Sequence, residues 1–212
     1  ASLQEGYSNT YPNTSHRSFH DFINGTFVER NGADGLSEGA FAWLWSLTLN
    51  IWFVGYTVGN LITPILNDRL GRRMALIVSN TVALLGALLA LLSVLVSLPE
   101  LFIVSRAIAS TSAGVSFGTL VLFTQETAPT SLRGVSSFLS ESTFIYTAAI
   151  GMAFGMDAIF GLILPALTGI TILPCALAIL LTLPLHETPK HLLITCGNRA
   201  AALRSLQYYR GM

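Results

Sequence analysis

The sequence predicts an all-α membrane protein, and three observations support that prediction. Charged residues make up only 10% of the chain while hydrophobic residues make up 52%, with a mean hydropathy of +0.62. Ordinary soluble domains carry about 25% charged residues, so this composition does not suit a soluble surface. Residues 39–67 and 74–99 contain no Asp, Glu, Lys or Arg. Each run exceeds the ~20 apolar residues that a membrane-spanning helix needs.

The apolar runs predict five complete spans, in chain order at residues 40–64, 74–97, 101–124, 134–156 and 160–184. Residues 1–14 are polar and too short to cross alone, so we expect them to be the outer part of a truncated first helix. Residues 15–38 are polar with scattered charge and are predicted to be an extracellular loop. Residues 185–212 are predicted to be a cytoplasmic amphipathic helical segment. The prediction is therefore a bundle of six helices.

The distribution of basic residues predicts the orientation. Only Arg17 and Arg30 fall on one predicted side, with Arg106 in or at the edge of a span. The eight on the other side are Arg69, Arg72, Arg73, Arg133, Lys190, Arg199, Arg204 and Arg210. Because cytoplasmic loops carry the excess of Lys and Arg, residues 65–73 are expected in the cytoplasm. The sequon Asn24-Gly25-Thr26 then lies outside, which makes Asn24 a candidate glycosylation site of a plasma-membrane protein.

Six motifs in order along the chain strengthen this picture. They are Gln4-Glu5-Gly6-Tyr7, the Asn24 sequon, Leu44-Trp45-Ser46-Leu47, Asp68-Arg69-Leu70-Gly71-Arg72-Arg73, the set from Arg106 to Gly134, and His186-Glu187-Thr188-Pro189-Lys190-His191-Leu192-Leu193. Together they resemble the sugar-porter branch of the major facilitator superfamily, specifically the facilitative glucose transporters. The resemblance implies the N-terminal six-helix half, a 3+3 inverted repeat, whose C-terminal partner half is not in this sequence. It implies facilitated diffusion of hexoses by alternating access.

Charged residues cluster at the predicted cytoplasmic helix ends, and the resemblance implies that they form the gate network that closes the inner side. The predicted members are Asp68, Arg69, Arg72, Arg73, Glu126, Arg133 and Glu187. A few ion pairs together could bias a two-state equilibrium by a few kcal/mol. The alternative is that these residues only signal topology and cap helices.

Ionisable residues within predicted spans are the sharpest functional signal, because charge at mid-membrane depth is expensive. Glu141, Phe144 and Ala148 share a helix face that the resemblance places toward the central cavity, where a family glutamine binds sugar. Gln4 and Ser8 on the first helix are further substrate-binding candidates.

Proton coupling is a second possibility. Ser8 stands where proton-coupled symporters of this family carry an aspartate, which favours facilitated diffusion. Glu5, one turn away from Ser8, could instead couple protons if it pairs with Arg106.

Other functions stay open at this point. The substrate could be another small polar solute, or the chain could be a non-transporting half-transporter that acts only as a membrane interaction protein. No catalytic triad, metal cluster or phosphate-binding loop is visible in the sequence. We therefore expect no enzyme activity, no cofactor and no metal. The zero net charge also argues against a nucleic-acid partner. The expected partners are a lipid bilayer and a sugar substrate.

Overall fold

The computed structural model describes residues 2–31 and 35–211, and the described part is helical throughout, without strands. Ten α-helices and one short 3₁₀ turn, Thr130–Leu132, occur in these ranges. In chain order the helices are α1 (Ser2–Thr14), α2 (His16–Asn31), α3 (Glu38–Leu70), α4 (Arg72–Leu95), α5 (Pro99–Thr127), α6 (Arg133–Phe154), α7 (Leu164–Gly169), α8 (Ile172–Thr182), α9 (Pro189–Ile194) and α10 (Arg199–Arg210). An all-α fold was predicted, and it is confirmed.

Four helical segments of the described chain are long and apolar enough to cross a membrane. They are Glu38–Leu70, Arg72–Leu95, Pro99–Thr127 and Leu164–Thr182. The last combines α7 and α8. α6 is 22 residues long but does not reach the same hydropathy. The positions at which a bilayer would begin and end along each helix stay predictions.

The long helices begin and end at residues whose local chemistry explains the boundary. The Ser37 side chain accepts a hydrogen bond from Ala40 N (3.3 Å) and caps the start of α3. Pro99 occupies the first turn of α5, where its missing N–H costs nothing. Gly71 separates α3 from α4 with φ of +86°, a backbone conformation that residues with a side chain rarely adopt. The chain can therefore reverse direction between two helices in a single residue.

Small residues let the helices pack closely. α5 lies between α3 and α4, and α1 runs along α6. Gly59 on α3 approaches the backbone of Thr111, so a side chain there would clash with α5. Threonines join α1 to α6 directly: Thr10 Oγ1 donates to Ala148 O (2.9 Å) and Thr14 Oγ1 donates to Met152 O (2.9 Å).

Two segments differ from the sequence prediction. Residues 15–38, predicted as a loop, contain the helix α2, because Phe19 and Ile23 lie four residues apart and are both buried. Residues 160–184, predicted as one span, contain one candidate membrane-crossing segment, Leu164–Thr182, which consists of two helices with an interruption between Gly169 and Ile172. Pro174 lies in the first turn of α8, where it has no N–H to donate to the preceding turn, so the helix restarts there.

The main apolar core is an aromatic cluster, defined here as Tyr7, Tyr11, Phe19, Phe41, Trp45 and Phe102. Phe19 is fully buried, with its ring centroid 4.7 Å from that of Phe102 and 5.6 Å from that of Trp45. Tyr7 donates its hydroxyl hydrogen to Leu167 O (2.9 Å). The cluster thus joins α1, α2, α3, α5 and α7.

Candidate functional site

At the α3–α4 turn, Arg72 is the centre of a second cluster. We call it the arginine cluster and define it as Arg72, Arg73, Glu126, Glu187, Thr188 and His191. The Arg72 side chain is only 9% exposed, and its Nε lies 3.1 Å from Glu126 Oε2 on α5. Its terminal nitrogens donate to Glu126 Oε1 (3.3 Å), to Asn67 O (3.2 Å) and to His191 Nδ1 (2.7 Å). One guanidinium therefore connects α3, α5 and α9.

Glu187 caps the start of α4 from 115 residues away in the sequence. Its Oε1 accepts from the backbone N–H of Arg72 (2.9 Å), and its Oε2 accepts from that of Arg73 (3.0 Å). These N–H groups have no partner within their own helix, and the helix N-terminus carries partial positive charge. A carboxylate at this position satisfies both requirements.

Glu126 accepts a hydrogen bond from Thr188 as well as from Arg72. Thr188, fully buried, donates its hydroxyl hydrogen to Glu126 Oε2 (2.6 Å), and Lys190 Nζ lies 3.8 Å from Oε1. Because the Glu126 side chain is only 4% exposed, it depends on these partners and on Arg72 for compensation of its charge. The arginine cluster is therefore centred on one buried ion pair, Arg72 with Glu126.

The structure brings together only part of the predicted gate set. Arg72, Arg73, Glu126 and Glu187 belong to the arginine cluster. Asp68 lies at its edge, 3.8 Å from Arg72 and mostly exposed. Arg69 and Arg133 are exposed and form no ion pair within the described ranges. Arg69 lies in the last turn of α3, and Arg133 is the first residue of α6.

Sequence reasoning missed Thr188, His191 and Lys190 as partners in this cluster. They follow Glu187 directly in the sixth motif, so proximity to a predicted gate residue was the available signal. It also missed how α10 is attached: Ser205 Oγ donates to Glu187 O (2.5 Å) and Tyr209 Oη donates to His186 O (2.6 Å). Burial raises the pKa of Tyr209 to about 12, so its hydroxyl keeps the proton that it donates.

Arg106 lies buried in the bundle, and neutral groups satisfy it. Its Nε donates to Thr48 O on α3 (2.9 Å), and a terminal nitrogen donates to Ser8 O on α1 (3.0 Å). Its guanidinium carbon is 5.0 Å from the centre of the Trp52 ring, a cation–π geometry. In the described chain it forms no salt bridge with Glu5, so the pairing considered for proton coupling is not present.

The substrate-binding candidates separate into two groups. Gln4 and Ser8 are buried beside Arg106, around a small cavity of about 20 Å³, and Gln4 Nε2 lies 3.4 Å from Ser8 Oγ. A larger cavity of about 190 Å³ is lined by Glu5, Tyr56, Phe117, Glu141 and Phe144.

Ala148 lines neither cavity. It packs in the α1–α6 contact, where Thr10 bonds to its carbonyl oxygen. Sequence reasoning also missed Tyr56 and Phe117, because an aromatic residue in an apolar span carries no sign of the surface it faces.

Asn24 lies within α2, and its Oδ1 accepts a hydrogen bond from Leu36 N (2.9 Å). Thr26 of the same sequon is buried and donates to Phe22 O (2.8 Å). Glycosylation at Asn24 stays a prediction. No group of three or more His, Cys, Asp or Glu that could hold a metal ion occurs in residues 2–31 and 35–211.

The four long apolar helical segments and the charged helix ends define an all-α membrane protein. The bundle matches the proton:xylose symporter XylE bound to 6-bromo-6-deoxy-D-glucose, with a TM-score of 0.82 at 17% identity, over 98% of this chain and 47% of that one. It also matches a partially occluded inward-open XylE from E. coli, with a TM-score of 0.83 at 17% identity, over 99% of this chain and 53% of that one. At this identity the likeness shows the fold.

A sequence model described as "Sugar (and other) transporter" matches residues 1–212. The chain therefore belongs to the family of sugar (and other) transporters. It is 33% identical over 217 residues to "Solute carrier family 2, facilitated glucose transporter member 7" of Homo sapiens, covering 100% of this chain and 41% of the relative. It is 31% identical over 213 residues to "Solute carrier family 2, facilitated glucose transporter member 5" of Mus musculus, covering 100% of this chain and 42% of the relative. The chain thus spans about two fifths of the length of these relatives.

Proposed function

We propose that this chain is the N-terminal half of a facilitative hexose carrier that works by alternating access. The observation that supports this best is that the chain belongs over its whole length to the family of sugar (and other) transporters. Relatives named as facilitated glucose transporters add to that support. Those relatives are longer than twice this chain, which supports a second half that completes the carrier. The carrier would be a multi-pass plasma-membrane protein, with residues 15–38 outside and residues 65–73 in the cytoplasm.

The cavity lined by Glu5, Tyr56, Phe117, Glu141 and Phe144 is the proposed contribution of this half to the substrate site. Its carboxylate oxygens can accept hydrogen bonds from sugar hydroxyls, and its rings can pack against the sugar carbons. Each hydrogen bond is worth about 0.5–1.5 kcal/mol net, so a handful gives a millimolar Kd, or about −4 kcal/mol. Weak binding suits a carrier, because the substrate must leave on the other side.

The arginine cluster is the proposed inner gate. In the described residues its charged groups join α3, α4, α5 and α9 through hydrogen bonds that water could replace. Opening would exchange these bonds for hydration, so the net free energy of opening can be small although the closed state is well defined. Arg69 and Arg133 are then available to contact the proposed second half.

Proton-coupled symport is the second candidate, and the buried carboxylate of Glu5 is the observation that favours it. The bonds of Arg106 to backbone carbonyls argue against it, since a coupling carboxylate would need a partner whose contact changes with protonation. We therefore favour a uniporter.

The alternative to a transporter is a half-protein that has no second half, does not transport, and acts only as a membrane interaction protein.

The test is uptake of labelled D-glucose by the full-length protein in liposomes, with L-glucose and protein-free liposomes as controls. A carrier gives saturable, stereoselective uptake that speeds up when unlabelled D-glucose is present on the opposite side. A pH gradient should leave this uptake unchanged. Uptake that does not saturate, or that does not discriminate the two enantiomers, would refute the proposal.

A further inference from the structure

Two carboxylates face the same cavity without a basic side chain to balance them. Glu5 on α1 and Glu141 on α6 both line the cavity of about 190 Å³. Glu5 is 4% exposed, and its Oε2 has no hydrogen-bond partner in the described ranges. A buried carboxylate oxygen without a partner is costly, so a ligand that satisfies it would bind favourably.

The described chain supplies no cation to this cavity. Arg106, also buried within the bundle, donates to the backbone oxygens of Thr48 and Ser8 and stacks on Trp52 instead. None of the ion pairs in residues 2–31 and 35–211 includes Glu5 or Glu141. A cation that enters the cavity would therefore meet two carboxylates that no positive side chain of the described residues already pairs.

The remaining walls of the cavity indicate what kind of cation fits. Tyr56, Phe117 and Phe144 contribute three aromatic rings. Aromatic rings attract organic ammonium groups through their negative faces. Only two carboxylates line the cavity, and no group of three or more His, Cys, Asp or Glu that could hold a metal ion occurs in residues 2–31 and 35–211. An ammonium group has three N–H donors, which two carboxylates can share.

We propose that Glu5 and Glu141 bind the ammonium group of a cationic substrate, so that the carrier prefers hexoses bearing a free amino group over neutral ones. This rests on the proposed carrier function and names its substrate class. The sugar ring would extend from the ammonium group along the aromatic walls. A hexose with an acetylated nitrogen keeps the ring but loses the charge and two of the donors.

Uptake by the full-length protein in liposomes tests this with labelled glucosamine, N-acetylglucosamine and glucose. We expect uptake efficiency for glucosamine to exceed that for N-acetylglucosamine by at least about tenfold. E5Q and E141Q should each lower glucosamine uptake by about tenfold more than they lower glucose uptake, because the amide keeps a hydrogen-bond acceptor for hydroxyls but loses the charge that holds the ammonium group. The matched control is E29Q, which removes an exposed carboxylate of α2 far along the chain from the cavity and should change neither.

Binding to the purified full-length protein in detergent, measured by calorimetry, separates the two proposals. If no sugar crosses the bilayer, the carrier function is refuted. The ammonium site would still be supported if the protein binds glucosamine more tightly than N-acetylglucosamine and if E141Q abolishes that difference. Because Glu141 is exposed, E141Q is expected to fold even if E5Q does not. Equal binding of both sugars, a preference that survives E141Q, or glucose uptake that follows a proton gradient and is abolished by E5Q would overturn the ammonium site.

Discussion

The aromatic cluster and the arginine cluster both hold several helices together, but they do so by different interactions. In the aromatic cluster, rings from α1, α2, α3 and α5 pack around the fully buried Phe19. In the arginine cluster, the contacts are hydrogen bonds to charged groups around Arg72 and Glu187. Packed rings can separate only by leaving a void or exposing a large apolar area, which is expensive. Charged groups can exchange their partners for water at small net cost.

This difference suggests which contacts are permanent. The aromatic cluster would keep its helices together throughout a transport cycle, and the arginine cluster would open and close. Four substitutions test the contrast: two in the arginine cluster, one in the aromatic cluster, and one at an exposed ion pair outside both.

Arg72→Ala should have the largest effect. It leaves the carboxylate of Glu126 buried without its main partner, which is expected to lower the free energy of unfolding by about 3–5 kcal/mol. Denaturant unfolding of the full-length protein in detergent measures this. Arg17→Ala is the matched control, because Arg17 is exposed, lies outside the arginine cluster, and its loss should change stability by less than about 0.5 kcal/mol. Equal effects of the two substitutions would remove Arg72 from the centre of the cluster.

Phe19→Ala should lower the free energy of unfolding by about 3 kcal/mol, the low end of the range for buried Phe→Ala, since neighbouring rings can partly fill the cavity. It should leave the ratio of inward-facing to outward-facing protein unchanged, whereas Arg72→Ala should shift it. Labelling of cysteines engineered at the cytoplasmic and the extracellular ends of the helices reports that ratio. Phe53→Ala, at a 62% exposed position of α3, is the control. A Phe19→Ala variant that redistributes the two forms as strongly as Arg72→Ala would contradict the contrast.

Glu187→Gln should have an intermediate effect, because an uncharged side chain still accepts hydrogen bonds at the start of α4 but no longer complements its positive end. We expect a loss of about 1 kcal/mol. Unfolding of the full-length protein measures it, with Glu29→Gln as the control for removal of a carboxylate. A loss no greater than that of the control would mean that the cap does not stabilise α4.

Arg30→Gln should have the smallest effect. Arg30 Nη1 lies 2.6 Å from Glu100 Oε1, but both side chains are substantially exposed. Exposed ion pairs contribute about 0–1 kcal/mol and weaken as salt screens them. Unfolding at low and at high ionic strength should show a small difference between wild type and variant that vanishes in high salt. A large loss that persists in high salt would show that this pair is structural.

Much of the bundle could be predicted from local pattern, because uncharged runs specify α3 and α4, and an apolar run interrupted only by Arg106 specifies most of α5. Arg72, Glu126 and Glu187 could also be anticipated, since charge at helix ends between apolar runs is unusual. Their individual partners could not, because Glu187 and Arg72 are 115 residues apart and no local signal specifies which N–H a carboxylate caps.

The helix α2 and the break before α8 were missed for a similar reason. α2 is polar in composition, and its helical form depends on two buried side chains, Phe19 and Ile23, that dock on the aromatic cluster. Tyr56 and Phe117 were missed as cavity residues because a span of apolar side chains does not reveal which face meets lipid. The helical form of α2, the break before α8 and the cavity-facing positions of Tyr56 and Phe117 all depend on contacts between segments that are distant in the sequence.

The most direct test of the contrast is hydrogen–deuterium exchange of the full-length protein in lipid nanodiscs, read by mass spectrometry for wild type and Arg72→Ala. Exchange in peptides covering residues 66–75 and 186–196 should rise by at least about tenfold in the variant, while exchange in peptides covering residues 16–30 and 41–48 should change by less than about twofold. Equal acceleration in both sets of peptides, or no change at residues 66–75, would contradict the contrast.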